Sequence, residues 1–526
     1  MIVRQELWAL LAVFVVAALL RLGLTNRSGL WGDEIFSLAM ATGHSLEHPA
    51  AAARPGLGDF AEPDNPVPPG ALRRYTTHEN PAEPPARVVR AVLLSDTSPP
   101  LYYLLLYGWT RIVGTSDLAL RLFSIICSLA CLPLLAAVAR RVAGREGVIA
   151  TCVLFAFSPL AIYYSNEGRM YSLLWLCVVA ATWASVVVHE RGGSAGVYCV
   201  WVAASTGGFL THYFFIFPWL AMVGYLILQP GKLKRTSLLV CVVLIVALIL
   251  PWYLKLPENA GEWRVTQGWL TMRPSHFNRI AASLELVTEF FSGRAEIWLG
   301  YRLVYVASVF LFGIVGIAML VRLRGQIFRG PRLLLWLSCV AACAAPIAID
   351  LMQHTYLVAK PRYAISALPA AYLLVAVGLA CLQPRMRIVI LVLIVLAWAP
   401  HILSIYRNPM PWVPMREIAR AATLNSQPSD LVLVHSIPSG VLSIARYANG
   451  NAALASWVEQ LGNRHVPSSV QSLSAGRSRV VFVKIHDAGA PAPEEDWLRA
   501  NAIAFQKSQI GLGTIVDFRP KTGMTF

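Results

Sequence analysis

Apolar windows long enough to cross a bilayer recur along this chain from its N-terminus to about Pro400. No other feature constrains the fold as much. Hydrocarbon offers no water to bond backbone N–H and C=O groups, so each window must satisfy its own backbone and is expected to be a helix. The composition agrees: 56% of the 526 residues are hydrophobic and 14% charged, with a mean hydropathy of +0.57. A soluble enzyme is excluded, and a polytopic α-helical membrane protein is expected. The first window, Leu7–Leu24, is too long for a cleaved leader and lacks its small-residue exit site, so it is expected to persist as the first span.

The net charge of +16 does not require a nucleic-acid partner. Many basic residues lie in short loops between windows: Arg140, Arg141 and Arg145; Lys232, Lys234 and Arg235; Arg322, Arg324, Arg329 and Arg332; Arg385 and Arg387. That is the pattern of cytoplasmic loops. With the N-terminus inside, Leu7–Leu24 leads to an outer loop, 25–98. The aromatic-rich piece from Ser98 to Gly114 is expected to be interfacial or re-entrant, since counting it as a span would put the 140–145 loop outside. Leu118–Val138, Met170–Val188, Tyr213–Leu228, Ile297–Leu320 and Tyr363–Leu382 then run inward. Val148–Ile162, Val197–Leu210, Leu238–Leu254, Leu333–Leu351 and Ile388–Ile405 run outward. This makes about eleven spans, with a second outer loop from Lys255 to Glu296. The nine cysteines all fall in apolar windows and are expected to be small buried side chains, with no disulfide framework.

Residues 1–405 thus form a transmembrane domain, and from Tyr406 the composition changes. Asp430–His435 and Arg479–Val483 read as buried strands, and Met415–Thr423 and Val441–Tyr447 as helices. Residues 406–526 are expected to be a small extracytoplasmic α/β domain.

The unusual polar residues converge on the outer side. Asp33 and Glu34 follow the first span, and Asp96 precedes Ser98-Pro99-Pro100. The hairpin Tyr163-Tyr164-Ser165-Asn166-Glu167-Gly168-Arg169-Met170-Tyr171 lies between two spans, as does Thr211-His212-Tyr213. Lys360-Pro361-Arg362-Tyr363 closes a third connection. A carboxylate such as Asp33 can take a proton from an attacking hydroxyl. Arg169, Lys360 and Arg362 can hold a phosphate and stabilise it as a leaving group without a metal. Tyr102, Tyr103, Tyr163 and Tyr164 can contact a sugar ring. His212 reads first as a structural donor in a tight turn. His44, Glu47 and His48, and likewise Asp350 and His354, read as solvated helical faces, because no third ligand stands at diagnostic spacing. No divalent metal is indicated.

Together, Asp33-Glu34, Ser98-Pro99-Pro100-Leu101-Tyr102-Tyr103, Tyr164–Tyr171 and Arg362-Tyr363 resemble the GT-C membrane glycosyltransferases. They are most similar to the family 39 type of protein O-mannosyltransferases and lipid A aminoarabinose transferases. The resemblance covers about residues 1–405 and implies a polyprenyl-phosphate-linked sugar donor and transfer to an acceptor hydroxyl at the outer face, with inversion. It implies Asp33 as the catalytic residue with Glu34 its acidic neighbour, and a hairpin acid near Glu167. Relatives commonly carry His or Lys before the Pro-Pro pair where this chain has Ser98, which shifts the phosphate contact to Arg169, Lys360 and Arg362. A bacterial inner membrane with a periplasmic site is expected. The acceptor stays open among glycolipid, polysaccharide and protein. The alternative, a transporter or flippase of lipid-linked sugars, calls for midplane charges and internal repeats, and neither is evident.

Overall fold

The computed structural model describes residues 2–47, 53–95, 98–257, 270–274, 276–292, 299–408, 413–486, 492–521 and 525–526. Among these, seven helices are long and apolar enough to cross a membrane, or eight if the bent pair Gly144–Phe157 and Pro159–Ser165 is one span. The others are Arg4–Leu22, Asp117–Val142, Tyr171–Arg191, Arg235–Tyr253, Val304–Phe328, Pro331–Gln353 and Pro384–Arg407, with Tyr171–Arg191 the most buried. The remaining three expected spans correspond to shorter apolar helices, Ala195–Phe209, Tyr213–Leu228 and Ile365–Ala380. Length alone therefore supports fewer crossings than eleven. The chain is an integral membrane protein. The aromatic piece after Pro100 is a helix, Leu101–Val113, too short to cross.

Two departures from the expected elements have local causes. The expected span Val148–Ile162 is bent by 58° at Ser158, because Pro159 supplies no N–H and disfavours helical backbone in the residue before it. Ser158 Oγ caps the second piece by accepting from Ala161 N. The last carbonyls of the first piece, Phe155 and Ala156, each accept from the guanidinium of Arg21 at 3.1 Å. A buried cation at a helix C-terminus complements its orphaned carbonyls and its dipole. Tyr372 Oη donates to Ser158 Oγ from the opposite side at 2.5 Å. The second departure is a helix, Arg279–Ser292, within the segment read as an outer loop.

The C-terminal part carries a five-stranded sheet: β1 Asp430–His435, β2 Ala453–Trp457, β3 Arg479–Lys484, β4 Ala502–Ile510 and β5 Gly513–Pro520. Its order is β2-β1-β3-β5-β4, with β1 parallel to β2 and β3, and β5 antiparallel to β3 and β4. β1 is buried along its whole length, as a strand covered on both faces must be. Leu431 and Leu433 pack with Phe482 and Phe518 in a local core, whereas Val432 and Val434 face the main cluster.

This unit grips the chain just ahead of Asp33. The carboxylate of Asp117, at the start of the Asp117–Val142 helix, accepts from Arg416 Nη2 (2.9 Å), Arg446 Nε (2.9 Å) and Tyr447 Oη (2.6 Å). Tyr447 Oη in turn accepts from Leu30 N at 2.7 Å. A Cβ on Gly29 would stand 2.9 Å from both Arg416 and Tyr447, so the helices Met415–Ala422 and Pro438–Tyr447 lie directly on this backbone. Asp117→Ala removes the shared acceptor of two arginines and should cost about 3 kcal/mol. Hydrogen exchange should show residues 26–32 and 438–447 losing protection while Tyr171–Arg191 keeps it; unchanged exchange in 26–32 would refute the clamp.

Candidate active site

The Trp31–Glu34 turn opens the helix Gly32–Ala41, and its two carboxylates have opposite surroundings. Glu34 is fully buried. Its Oε1 accepts from Arg121 Nε (2.8 Å) and Gly168 N (2.9 Å), and its Oε2 from Arg121 Nη2 (2.7 Å) and Trp31 N (3.2 Å). Arg121 also donates through Nη1 to the carbonyls of Thr25 (2.7 Å) and Ser28 (2.9 Å), and through Nη2 to that of Gly29 (3.0 Å). All five guanidinium N–H groups are thereby used. Glu34 has the geometry of a structural anchor, with both oxygens committed.

Asp33 keeps a third of its side chain exposed, and its Oδ2 accepts from Arg362 Nη1 at 3.1 Å. Its backbone carbonyl accepts from Ser37 Oγ (3.0 Å) and Arg169 Nη1 (3.3 Å). Arg169 Nη1 also reaches Ser37 Oγ (3.2 Å) and Tyr103 Oη (3.3 Å). Arg362 sits on a 3-10 turn, Pro361–Tyr363, and half-buried Lys360 precedes it. The turn's approach is set by Asp350, whose buried carboxylate accepts from Thr355 Oγ1 (2.6 Å), Leu357 N (2.8 Å) and Val358 N (2.9 Å). The expectation of a solvated Asp350 is thus overturned: three donors in the following turn draw it inside.

On the hairpin, Tyr164 packs edge-on against Tyr163 and Tyr171. Glu167 is buried, and its Oε2 has no hydrogen-bond partner. Burial pushes its carboxyl up to about 8, the negative charge of Glu34 adding to the effect. His212 is buried, and its Nδ1 accepts from Phe214 N at 3.1 Å, which leaves the ring proton on Nε2. Burial, with Arg169 and Arg362 nearby, pulls its pKa down to about 3, so it is neutral. Its contact is a turn cap. Tyr102 is buried in the helix packing, with its hydroxyl 3.3 Å from Ser124 Oγ; Tyr103 is the member of that pair that reaches Arg169. Asp96 and His48 lie outside the described residues. His44, expected on a solvated helix, follows a helix end as a buried ring with Nδ1 at 3.1 Å from Thr42 Oγ1, and burial lowers its pKa to about 4. Among the described residues, no group of three His, Cys, Asp or Glu side chains is placed to hold a metal.

The structure therefore gathers Asp33, Arg169 and Arg362, with Glu167 near enough to feel their charges. Sequence reasoning passed over Arg21 and the role of Arg121 as the partner of Glu34. The available signal was an arginine inside or at the rim of an apolar window, which needs an internal acceptor.

The profile of the dolichyl-phosphate-mannose-protein mannosyltransferase family matches residues 97–254, a stretch that includes Arg121 and the Glu167 hairpin but neither Asp33 nor Arg362. No curated protein sequence matches the chain. Among solved structures, ArnT from Cupriavidus metallidurans bound to undecaprenyl phosphate aligns with a TM-score of 0.59 at 14% identity, covering 96% of this chain and 97% of that one. The chain has the GT-C fold. The apo state of the same ArnT gives 0.56 at 13% identity, over 91% and 95% of the two chains. Archaeoglobus fulgidus oligosaccharyltransferase, tethered with an acceptor peptide, gives 0.49 at 12%, over 91% and 69% of the two chains.

Glu34→Gln leaves Arg121 buried without its counter-charge and should destabilise by about 3–5 kcal/mol, read as a fall in thermal midpoint. The raised carboxyl of Glu167 has a pH signature. Between the ordinary value of 4.5 and about 8 the folded chain holds a proton that the unfolded chain has released, so stability falls as pH rises through that window. The thermal midpoint of the wild type should drop relative to Glu167→Gln from pH 5 to 8 and run parallel above it. Parallel curves throughout would contradict the assignment.

Proposed function

We propose that this GT-C protein is a polyprenyl-phosphate-dependent glycosyltransferase whose site opens on the outer face of a bacterial cytoplasmic membrane, opposite the basic loops. The observation that carries the reading is the pairing of a partly exposed carboxylate, Asp33, with Arg362 at 3.1 Å, while Arg169 holds the Asp33 backbone. A base and two phosphate-binding cations then share one spot. The family profile over residues 97–254 and the GT-C fold, similar in shape to a protein crystallised with undecaprenyl phosphate, support the same class of carrier.

The donor's phosphodiester carries one negative charge, and the departing carrier monoester gains a second. Arg362, Arg169 and Lys360 stabilise that gain. The acceptor oxygen attacks the anomeric carbon from the face opposite the phosphate, its proton passes to Asp33, and the bond from carbon to phosphate oxygen breaks with inversion. Arg362 pairs with Asp33 at 3.1 Å. An arriving phosphate competes for that guanidinium and releases the carboxylate, so the base is unmasked when the donor is in place.

Asp33→Asn should lower transfer by about 10³-fold while binding of undecaprenyl phosphate stays within about twofold. Arg362→Ala should weaken that binding by about tenfold. The readout is consumption of a panel of undecaprenyl-phosphate sugars by purified protein in nanodiscs. Full turnover by Asp33→Asn would remove Asp33 from the chemistry.

A further inference from the structure

The spanning helices Arg4–Leu22 and Pro384–Arg407 end side by side. Gly23 makes the junction close, since a Cβ there would stand 3.2 Å from the Tyr406 ring, whose hydroxyl donates to Leu20 O. Arg27 folds back over the same junction. Its guanidinium carbon stands 5.1 Å from the centre of the Tyr406 ring. Its Nε donates to Gly23 O and its Nη1 to Tyr406 O, both at 3.1 Å. The carbonyl of Tyr406 is one of those a helix leaves unmet at its C-terminus. Two of the five N–H groups of Arg27 are thereby used, and three remain.

Arg407 follows Tyr406 directly as the last residue of its helix, and it is exposed, as Arg27 is. Among the described residues neither arginine is in an ion pair. The carboxylate next in this network, Asp117, is taken by Arg416 and Arg446, and Arg416 Nη1 donates to Asn26 O at 3.0 Å. The opposite end of the first span is different, for there Glu6 balances Arg145 at 2.7 Å and Arg140 as well. Two like charges held at adjoining helix ends repel, the more so beside hydrocarbon, where the effective dielectric falls. An anion shared between them offsets that repulsion. On the hydrocarbon side of the pair, Leu19, Leu22 and Leu403 are exposed and continue the surface as an apolar strip. A cationic head above an apolar strip is complementary to a lipid that carries a phosphate.

We propose that Arg27 and Arg407 bind the phosphate of an anionic phospholipid of the surrounding leaflet, with its acyl chains along Leu19, Leu22 and Leu403. Tyr406 and the two carbonyls hold Arg27 in place before the lipid arrives, so little side-chain freedom is lost on binding. The site uses none of Asp33, Arg169 and Arg362, and it stands whether or not the transferase reading does. Arg27 lies between Asn26, bonded by Arg416, and Ser28, bonded by Arg121. A lipid bound there braces the chain that leads to the Trp31–Glu34 turn.

The test uses the full-length protein in nanodiscs of phosphatidylcholine alone or mixed equally with phosphatidylglycerol. Native mass spectrometry reads the lipid retained, and a melt reads the thermal midpoint. The wild type should retain phosphatidylglycerol in preference to phosphatidylcholine and melt higher in the mixed discs. Arg407→Ala, whose side chain makes no hydrogen bond among the described residues, keeps the Arg27 contacts and should retain about fivefold less phosphatidylglycerol. Adding Arg27→Ala should bring the loss to about thirtyfold and abolish the rise in midpoint, with phosphatidylcholine retention unchanged. Lysine at both positions keeps the charge and should recover most of the retention. Equal retention of the two lipids by the wild type, or unchanged retention by Arg407→Ala, would overturn the proposal. A parallel loss of undecaprenyl phosphate binding in Arg407→Ala would overturn it too, because the arginines would then serve the carrier.

Discussion

The half of the molecule that holds the candidate site is organised around one ion pair, Arg121 with Glu34. Two charges without water are costly, and their attraction repays the loss only when every remaining donor and acceptor is met. Here they are met by pieces the fold must bring together: the carbonyls of Thr25, Ser28 and Gly29 on one side, and the amides of Trp31 and Gly168 on the other. The pair therefore fixes the first loop against the Asp117–Val142 helix and against the hairpin before Tyr171. Asp33 inherits its position from this arrangement. Its neighbour Glu34 supplies the rigidity, and Asp33 stays partly exposed beside Arg362.

Further contacts aim the cations. Arg21 and Tyr372 hold the bend at Ser158 that turns the hairpin. Asp350 folds the turn that delivers Arg362. The C-terminal unit presses on Gly29 and Leu30 through Arg416 and Tyr447. It takes part in the geometry ahead of Asp33 as well as forming its own sheet.

How much of this was legible in the chain depended on whether the signal was local. Helix positions were readable from apolar length, and β1 and β3 from short runs such as Leu431–Val434 and Val480–Val483. β4 was not, since its exposed residues carry no run of buried apolar side chains. Asp33, Arg169 and Arg362 were legible as polar residues at span ends on one face. The division of labour between Asp33 and Glu34 was not, because it depends on Arg121, far along the chain. Tyr102 and Tyr103 are indistinguishable by composition; only helix rotation sends one toward Ser124 and the other toward Arg169. Asp350 and His44 misled for a related reason: their buried partners lie in turns whose shape no spacing announces.

The separations across these contacts have a consequence for synthesis in the membrane. Glu34 bonds partners 87 and 134 residues later, Asp33 waits for one 329 residues on, and Leu30 for one 417 residues on. The segment that bears Asp33 emerges among the first, and its last brace is among the final pieces made. Such long closures are slow relative to local helix formation. The loop around Asp33 is thus expected to close late, after the helices it braces against have been made.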